Sequence, residues 1–470
     1  MLYIQKKNQI VILLVFEVLF ATSCKKFIEV GSPVTKIDAK AVYDSDASAI
    51  AVLNGVYSES CRTLSGTNGI SVLLGLTADE LDASVYAQEF MHTVYTNSIN
   101  PKAVPFWDFF YNKIYISNVV IEGLEGTTRI SNDVKSILLG EAKFMRAFNY
   151  FYLVNLFGSV PLIVKSDYHL SISVPRTDKS GIYEQIIKDL KDAQSLLPLD
   201  YMGSDLRTKT PYRVRPNKDA ANALLARVYL YTKNWDLSEK LASTVINRSD
   251  IFQLEELDKV FLSNSKEAIL QWQPVDAGFN TLDGRAFILL DGPNTVNPVL
   301  MSDLLYSSFE RNDKRKEKWI GTKVTTLGTY HFSYKYRIGQ YNANQSLDEY
   351  LMVLRLGEQY LIRAEANAHL GKLSLAIEDL NKLRQRAGLT RLLVDDLNVV
   401  LNEIEHERQT EMFCEFGHRW LDIKRTDKAN QVMGVVTPSK GGVWSTNLQL
   451  FPIPINDILS NSNLSQNEGY

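Results

Sequence analysis

Cysteine is scarce in this chain, with three in 470 residues, at Cys24, Cys61 and Cys414. That excludes a small disulfide-built scaffold, and with six scattered histidines it leaves no Cys/His cluster of metal-binding spacing. An excess of one charge is also missing. The 51 Lys and Arg stand against 54 Asp and Glu, a net charge of −3, with no long basic run, so nucleic acid is not an expected partner. No stretch of eighteen apolar residues occurs, and none is expected to span a membrane as a helix. Catalytic signatures are missing too. His406-Glu407 is not followed by the second His of a zinc-protease helix, and neither a phosphate-cradling Gly loop nor G-x-S-x-G is present. A carboxylate pair for glycoside hydrolysis is always findable among 54 acids, so it argues nothing without a separation. The expectation is a protein that is not an enzyme, with no cofactor and no metal.

What is present begins at the front. Lys6 and Lys7 precede Ile10 to Phe20, eleven residues that are apolar except for Glu17. That is too short for roughly 30 Å of hydrocarbon and fits the h-region of a signal peptide. Ala21-Thr22-Ser23-Cys24 follows and resembles a bacterial lipobox, although Ala21 stands where Leu is usual. Residues 1–23 are therefore expected to be a lipoprotein signal peptide, with Cys24 the lipidated first residue of the mature chain. Cys61 and Cys414 would then remain, either as two buried thiols or as a pair.

The body has 45% hydrophobic and 22% charged residues, ordinary for a globular protein. It reads as mainly α. Helical stretches are expected over 39–64, 106–121, 132–157 (closed by Gly158 and Pro161), 178–197 (stopped by Pro198) and 217–232 (capped by Asn217), with 235–246 returning as a hairpin partner. A second hairpin is expected from 350–370 and 373–387, turning at Gly371-Lys372. Small residues stand twelve apart across each hairpin, Ala226 with Ser238 and Ala364 with Ala376. This is similar to the tetratricopeptide repeat, where small residues let two antiparallel helices approach. The spacing between units is not that of a regular array. Two loop-rich insertions, near 66–105 and 273–348, interrupt the pattern with minor strand-like pieces such as 268–272 and 330–336; insertions of that length in a helical body are usually functional. Trp107, Trp272, Trp319 and Trp420 read as core, and Trp444 is left open.

Four stretches carry a resemblance to a known family. They are GEAKFMRAFNY from Gly140, running on to Ile163; RLGEQYLIRAEANAHLG from Arg355 to Gly371; Glu407-Arg408 through EFGHRW to Asp422 and Arg425; and the tail with Pro452-Ile453-Pro454 and Gln466-Asn467 before Gly469-Tyr470. With the lipobox, they make the chain resemble the SusD/RagB family over nearly its whole length, with Glu468 where that family commonly has Pro. The resemblance implies a helical body on tetratricopeptide-like hairpins, with 24–470 as one SusD-like domain. It implies a lipid-anchored protein on the outer membrane, facing the cell exterior. Such a protein would bind an oligosaccharide, or in some members a peptide, and deliver it to a SusC-like TonB-dependent barrel. A tetratricopeptide-like adaptor for another protein and a glycosidase are the alternatives from other classes.

Arg408, Glu411, Glu415 and Arg419 fall at i, i+3, i+7 and i+11, and are expected to pair in a ladder along one helix edge. Ligand contacts are sought in the insertions, where aromatic faces can lie against the C–H-rich faces of sugars and polar groups can bond hydroxyls. The candidates are Asp79, Tyr86, Tyr95 and Asn97 in the first insertion, and Phe279, Asn280, Asp283, Arg285, Tyr330 and Tyr341 in the second.

Overall fold

The computed structural model describes residues 41–470; the expected signal peptide and the expected lipidation site Cys24 lie outside the described residues. Its spine is the helix Asn132–Phe157, in which every residue from Phe144 to Phe157 is buried. A stretch buried on all sides lies in the middle of a core, and its one buried cation, Arg146, is forked onto Asp189 at 2.8 and 2.7 Å. Trp107–Glu125 and Lys179–Leu196 pack along it. The close approach at its middle needs Gly140, where a Cβ would stand 2.8 Å from the Leu197 side chain. Gly158 ends it at φ +75°, a left-handed conformation that costs a side chain energy. Asp178 caps the next long helix by accepting the Gly181 N–H at 2.9 Å.

The first hairpin, Lys218–Tyr231 with Trp235–Ile246, starts with Asn217 accepting the Ala220 N–H at 3.0 Å. Ala226 and Ser238 meet as the spacing implies, Ser238 Oγ donating to the Ala226 carbonyl at 3.0 Å. In the second hairpin, Leu356–His369 with Leu373–Arg386, Ala364 and Ala376 are both fully buried and Arg363 forks onto Asp379 at 2.8 and 2.6 Å. The hairpins lean on each other. The buried Arg227 forks onto Glu358 at 2.6 and 2.7 Å, and the Trp235 ring stacks on His369 at 4.0 Å.

Three readings need correction. The second hairpin does not begin at 350: Leu351–Arg355 is a strand, antiparallel to Ala268–Trp272, and the helix starts at Leu356. A short unbroken apolar run suits a buried strand as well as a helix, and the distant partner strand decides it. The first insertion does not wholly break the helical pattern, although loops make up more than half of it. Ile70–Thr77 is a wholly buried helix, followed by the strand Leu81–Ala83 and the helix Glu89–Tyr95. The expected ladder of Arg408, Glu411, Glu415 and Arg419 does not form, because its helix stops at Met412 and a turn with Cys414, Phe416 and Gly417 at positive φ precedes His418–Arg425.

Each of those four charges reaches another element instead. Arg408 bonds Asp422 at 2.7 Å, and Arg419 forks onto Asp79 at 2.8 and 2.7 Å. Glu411 and Glu415 sit with Glu267 around Arg355, which reaches them at 2.6, 2.7 and 2.9 Å and is 1% exposed. Burial alone would raise the Glu411 pKa, but Arg386, Arg355 and Arg315 outweigh it and hold the carboxyl well below its usual range. The network ties the strand, the second hairpin and the helix ending at Met412 together through charge, and removing one partner would leave a buried charge unpaired.

Cys61 and Cys414 are free and buried. Trp107, Trp272, Trp319 and Trp420 are in the core, and Trp444 rests half-buried with its ring edge-on to Trp420. The tail is strapped to the end of the long helix, with the Phe451 N–H donating to Leu156 O at 2.8 Å and Asn467 Nδ2 donating to Phe157 O at 2.9 Å.

Candidate functional site

The two insertions, separated by about 170 residues of chain, are stitched together. Leu81–Ala83 pairs antiparallel with Val299–Met301, and the Ser84 N–H donates to Pro298 O at 2.8 Å. The Gly66 N–H donates to Asp283 Oδ1 at 2.7 Å. Between them opens a groove of about 590 Å³, walled by Arg62, Gln88, Phe90, Phe109, Arg285 and Val296 among others. Phe106, in the same wall, holds φ +68° where it starts the helix Trp107–Glu125. A bulky residue in the left-handed region is strained, and such strain concentrates at working sites.

Beside the groove lies an open aromatic platform. The Phe279 and Tyr341 rings are 5.1 Å apart, and the Arg285 guanidinium sits 4.7 Å over the Phe279 ring. Tyr341 is 61% exposed. Gly278 makes the platform possible: it has φ +77°, and a Cβ there would come within 2.4 Å of the Tyr341 ring. The Asn342 N–H donates to Gly278 O at 2.9 Å and pins the far strand of chain against it.

Of the ten residues singled out from sequence, Phe279, Arg285 and Tyr341 are brought together here. Four others are turned inward and buried. Asp79 is buried and fully engaged by Arg419. Asn97 is buried at φ +55°, donating to Thr77 O at 3.0 Å and accepting from Thr437 Oγ1 at 2.7 Å. Asn280 is buried and accepts the Asp348 and Glu349 N–H groups, both at 2.9 Å. Asp283 is buried with its pKa pushed up to about 7, chiefly by burial, and it holds Gly66. Three of the four brace backbone groups that a loop folded against a core must satisfy, and Asp79 answers a buried guanidinium.

The remaining three stand apart in role. Tyr95 is half-buried, its hydroxyl donating to Asp82 at 2.9 Å. Tyr330 packs half-buried against Ile288, Leu289 and Phe332. Tyr86 is 44% exposed. Sequence reading passed over Arg62, Gln88, Phe90, Phe106 and Phe109. Phe106 and Phe109 lie in an aromatic, apolar run that reads as helix, and no local signal marks the left-handed turn at Phe106. A second cavity, of about 600 Å³, lies between the tail and the turn of the first hairpin, with Lys179, Tyr231, Lys424 and Asn447 in its wall. It draws on neither insertion.

The groove and platform offer ring faces and hydrogen-bond donors, the chemistry that stacks and orients a polar ring. Asp276 is tied to Arg62 at 2.8 Å, and Asp283 is spent on Gly66.

Comparison with known proteins agrees with the architecture. Residues 65–230 match a family described as starch-binding and associating with the outer membrane, and residues 310–470 match the SusD family. The SusD-like protein P2 of Formosa agariphila is 26% identical over 93% of this chain and 95% of its own length. A SusD superfamily structure from Bacteroides vulgatus superposes with TM-score 0.76 at 20% identity, covering 91% of this chain and all of that one. A laminarin-binding SusD-like protein superposes with TM-score 0.73 at 25% identity, covering 90% and 99%. With both halves of the chain matched and the helical-hairpin body shared, this protein belongs to the SusD/RagB family.

Proposed function

We propose that this chain is a surface lipoprotein that binds an oligosaccharide without cleaving it and hands it to a SusC-like TonB-dependent barrel. The observation that carries the reading is the groove between the two stitched insertions, with the Phe279–Tyr341 platform open at its side. The description of the matched family as starch-binding and the laminarin binding of a structural relative support a glycan ligand. In this reading residues 1–23 are removed, Cys24 carries the lipid, and the single domain from Cys24 onward faces outward from the outer membrane.

The test is calorimetry of the soluble body against a panel of neutral and charged oligosaccharides, with reducing-sugar release followed in the same samples. Binding of about −4 to −8 kcal/mol is expected, micromolar to millimolar, because sugar hydroxyls exchange water for protein at small net gain. Phe279→Ala or Tyr341→Ala should each cost about 1–3 kcal/mol of that, the worth of an apolar side chain's contact. Release of reducing sugar, or full binding by both variants, would sink the reading.

A further inference from the structure

The groove is one-sided in charge. Its wall contains two arginines, Arg62 and Arg285, and no Asp, Glu or Lys. Arg62 is 55% exposed and spends one donor, Nε, on Asp276 at 2.8 Å; no other bond from its guanidinium is found among the described residues. Arg285 is exposed and forms no salt bridge among the described residues. Its guanidinium lies over the Phe279 ring at 4.7 Å. Its side-chain N–H groups bond no other described residue, which leaves a planar fork of donors suited to a two-oxygen acceptor. The neighbouring charges are answered locally. Lys113, 5.3 Å over the Phe109 ring, is buried and paired with Glu59, and Asp283 faces the Gly66 backbone.

A neutral sugar hydroxyl both donates and accepts, and Asn68, Gln88 and Thr295 in the same wall suit it, but they give the two guanidinium groups no charge to answer. Two guanidinium groups with unspent donors and no carboxylate in the wall favour a group that only accepts. We propose that the groove takes an anionic glycan, one whose rings carry carboxylate or sulfate, with Arg62 and Arg285 receiving the anion and the Phe279–Tyr341 platform stacking the ring. The proposal rests on the groove being the glycan site. Carboxylate and sulfate share the chemistry, and paired probes separate them.

The experiment titrates the soluble body with oligogalacturonate and its carboxyl-reduced counterpart, and with a carrageenan oligosaccharide and its desulfated counterpart. The charged member of at least one pair should bind about tenfold or more tightly than its neutral counterpart, as charge-assisted bonds outweigh neutral ones. That preference should shrink from about 0.1 to 1 M salt, as the Debye length falls from about 10 to 3 Å. Arg285→Gln and Arg62→Gln should each weaken the charged member by about tenfold and leave thermal unfolding unchanged, while Arg285→Lys should keep part of the affinity by charge alone. Equal binding of both members, lost in Tyr341→Ala, overturns this inference and leaves the glycan reading standing. Charged binding that both Gln variants retain also overturns it. No binding by any member of either pair, together with none in the wider panel, overturns the glycan reading and this inference with it.

Discussion

Glu80 is 1% exposed within the first insertion, with Cys414 N–H donating to its Oε1 at 3.2 Å. Burial, and after it the charge of Asp79, pushes its pKa from the ordinary 4.5 to about 8. Below about pH 4.5 the carboxyl is protonated in both the folded and the unfolded chain. Between those values the folded protein keeps a proton that the unfolded chain has released. Stability then falls as pH rises, by about 1.4 kcal/mol per unit, and flattens above pH 8. The whole interval from 4.5 to about 8 corresponds to about 5 kcal/mol at most. Asp283 and Glu349, both raised to about 7 by burial, act in the same direction over a shorter interval. His418 acts the other way: burial lowers it from 6.5 to about 4, so it adds stability as pH rises between those values. Glu80→Gln removes one titration and keeps a carbonyl to accept the Cys414 N–H. The difference in stability between variant and wild type should therefore grow in the variant's favour by about 1.4 kcal/mol per unit from pH 5 to pH 7. Urea unfolding followed by tryptophan fluorescence at pH 5, 6, 7 and 8 measures it. A difference that stays constant with pH would refute the assignment of the proton to Glu80.

Arg355→Met should destabilise the fold by about 3–5 kcal/mol, because it leaves Glu267, Glu411 and Glu415 crowded without their shared cation, as urea midpoints will show. Gly278→Ala should weaken glycan binding as much as Tyr341→Ala while costing only about 1–2 kcal/mol of stability, since the added Cβ displaces an exposed ring and strains one residue. Calorimetry with unfolding curves checks both halves. Cys24→Ala should move the protein from the membrane to the soluble fraction, because each buried CH₂ of the lipid contributes about 0.8 kcal/mol. Retention of the variant in washed outer membranes lacking the barrel would count against the anchor.

The helices whose ends carry their own punctuation were legible from sequence. Asn132–Phe157 ends at Gly158, and Asn217 caps the first hairpin where the sequence says it should. These signals are local: an orphaned N–H finds a side chain three residues away, and a glycine takes a left-handed turn that its neighbours refuse. The small residues at Ala226 and Ser238 were legible for a similar reason, since a short turn forces the two helices together. The site was legible only in part. Phe279, Arg285 and Tyr341 could be named as candidates from residue type and their place in a long insertion, and the structure brings them together beside the groove. Asp79, Asn97, Asn280 and Asp283 belong to the same insertions and the same residue types, and nothing local separates a loop's internal brace from its outward contacts.

By itself, then, the sequence determined the class of the fold, the hairpins and the region in which a ligand face had to be sought, because each depends on periodicity and on neighbours a few residues apart. Only the tertiary structure decided that Leu351–Arg355 is a strand, since its partner Ala268–Trp272 lies some eighty residues away. It alone decided that Arg419 answers Asp79 across 340 positions rather than its own helix edge. It alone built the groove, whose wall joins Arg62, Gln88, Phe109 and Arg285 from four separate stretches of chain. Burial converts each of those distant meetings into an energy, through desolvated charge, satisfied backbone or excluded water, and no local pattern records which residues will meet.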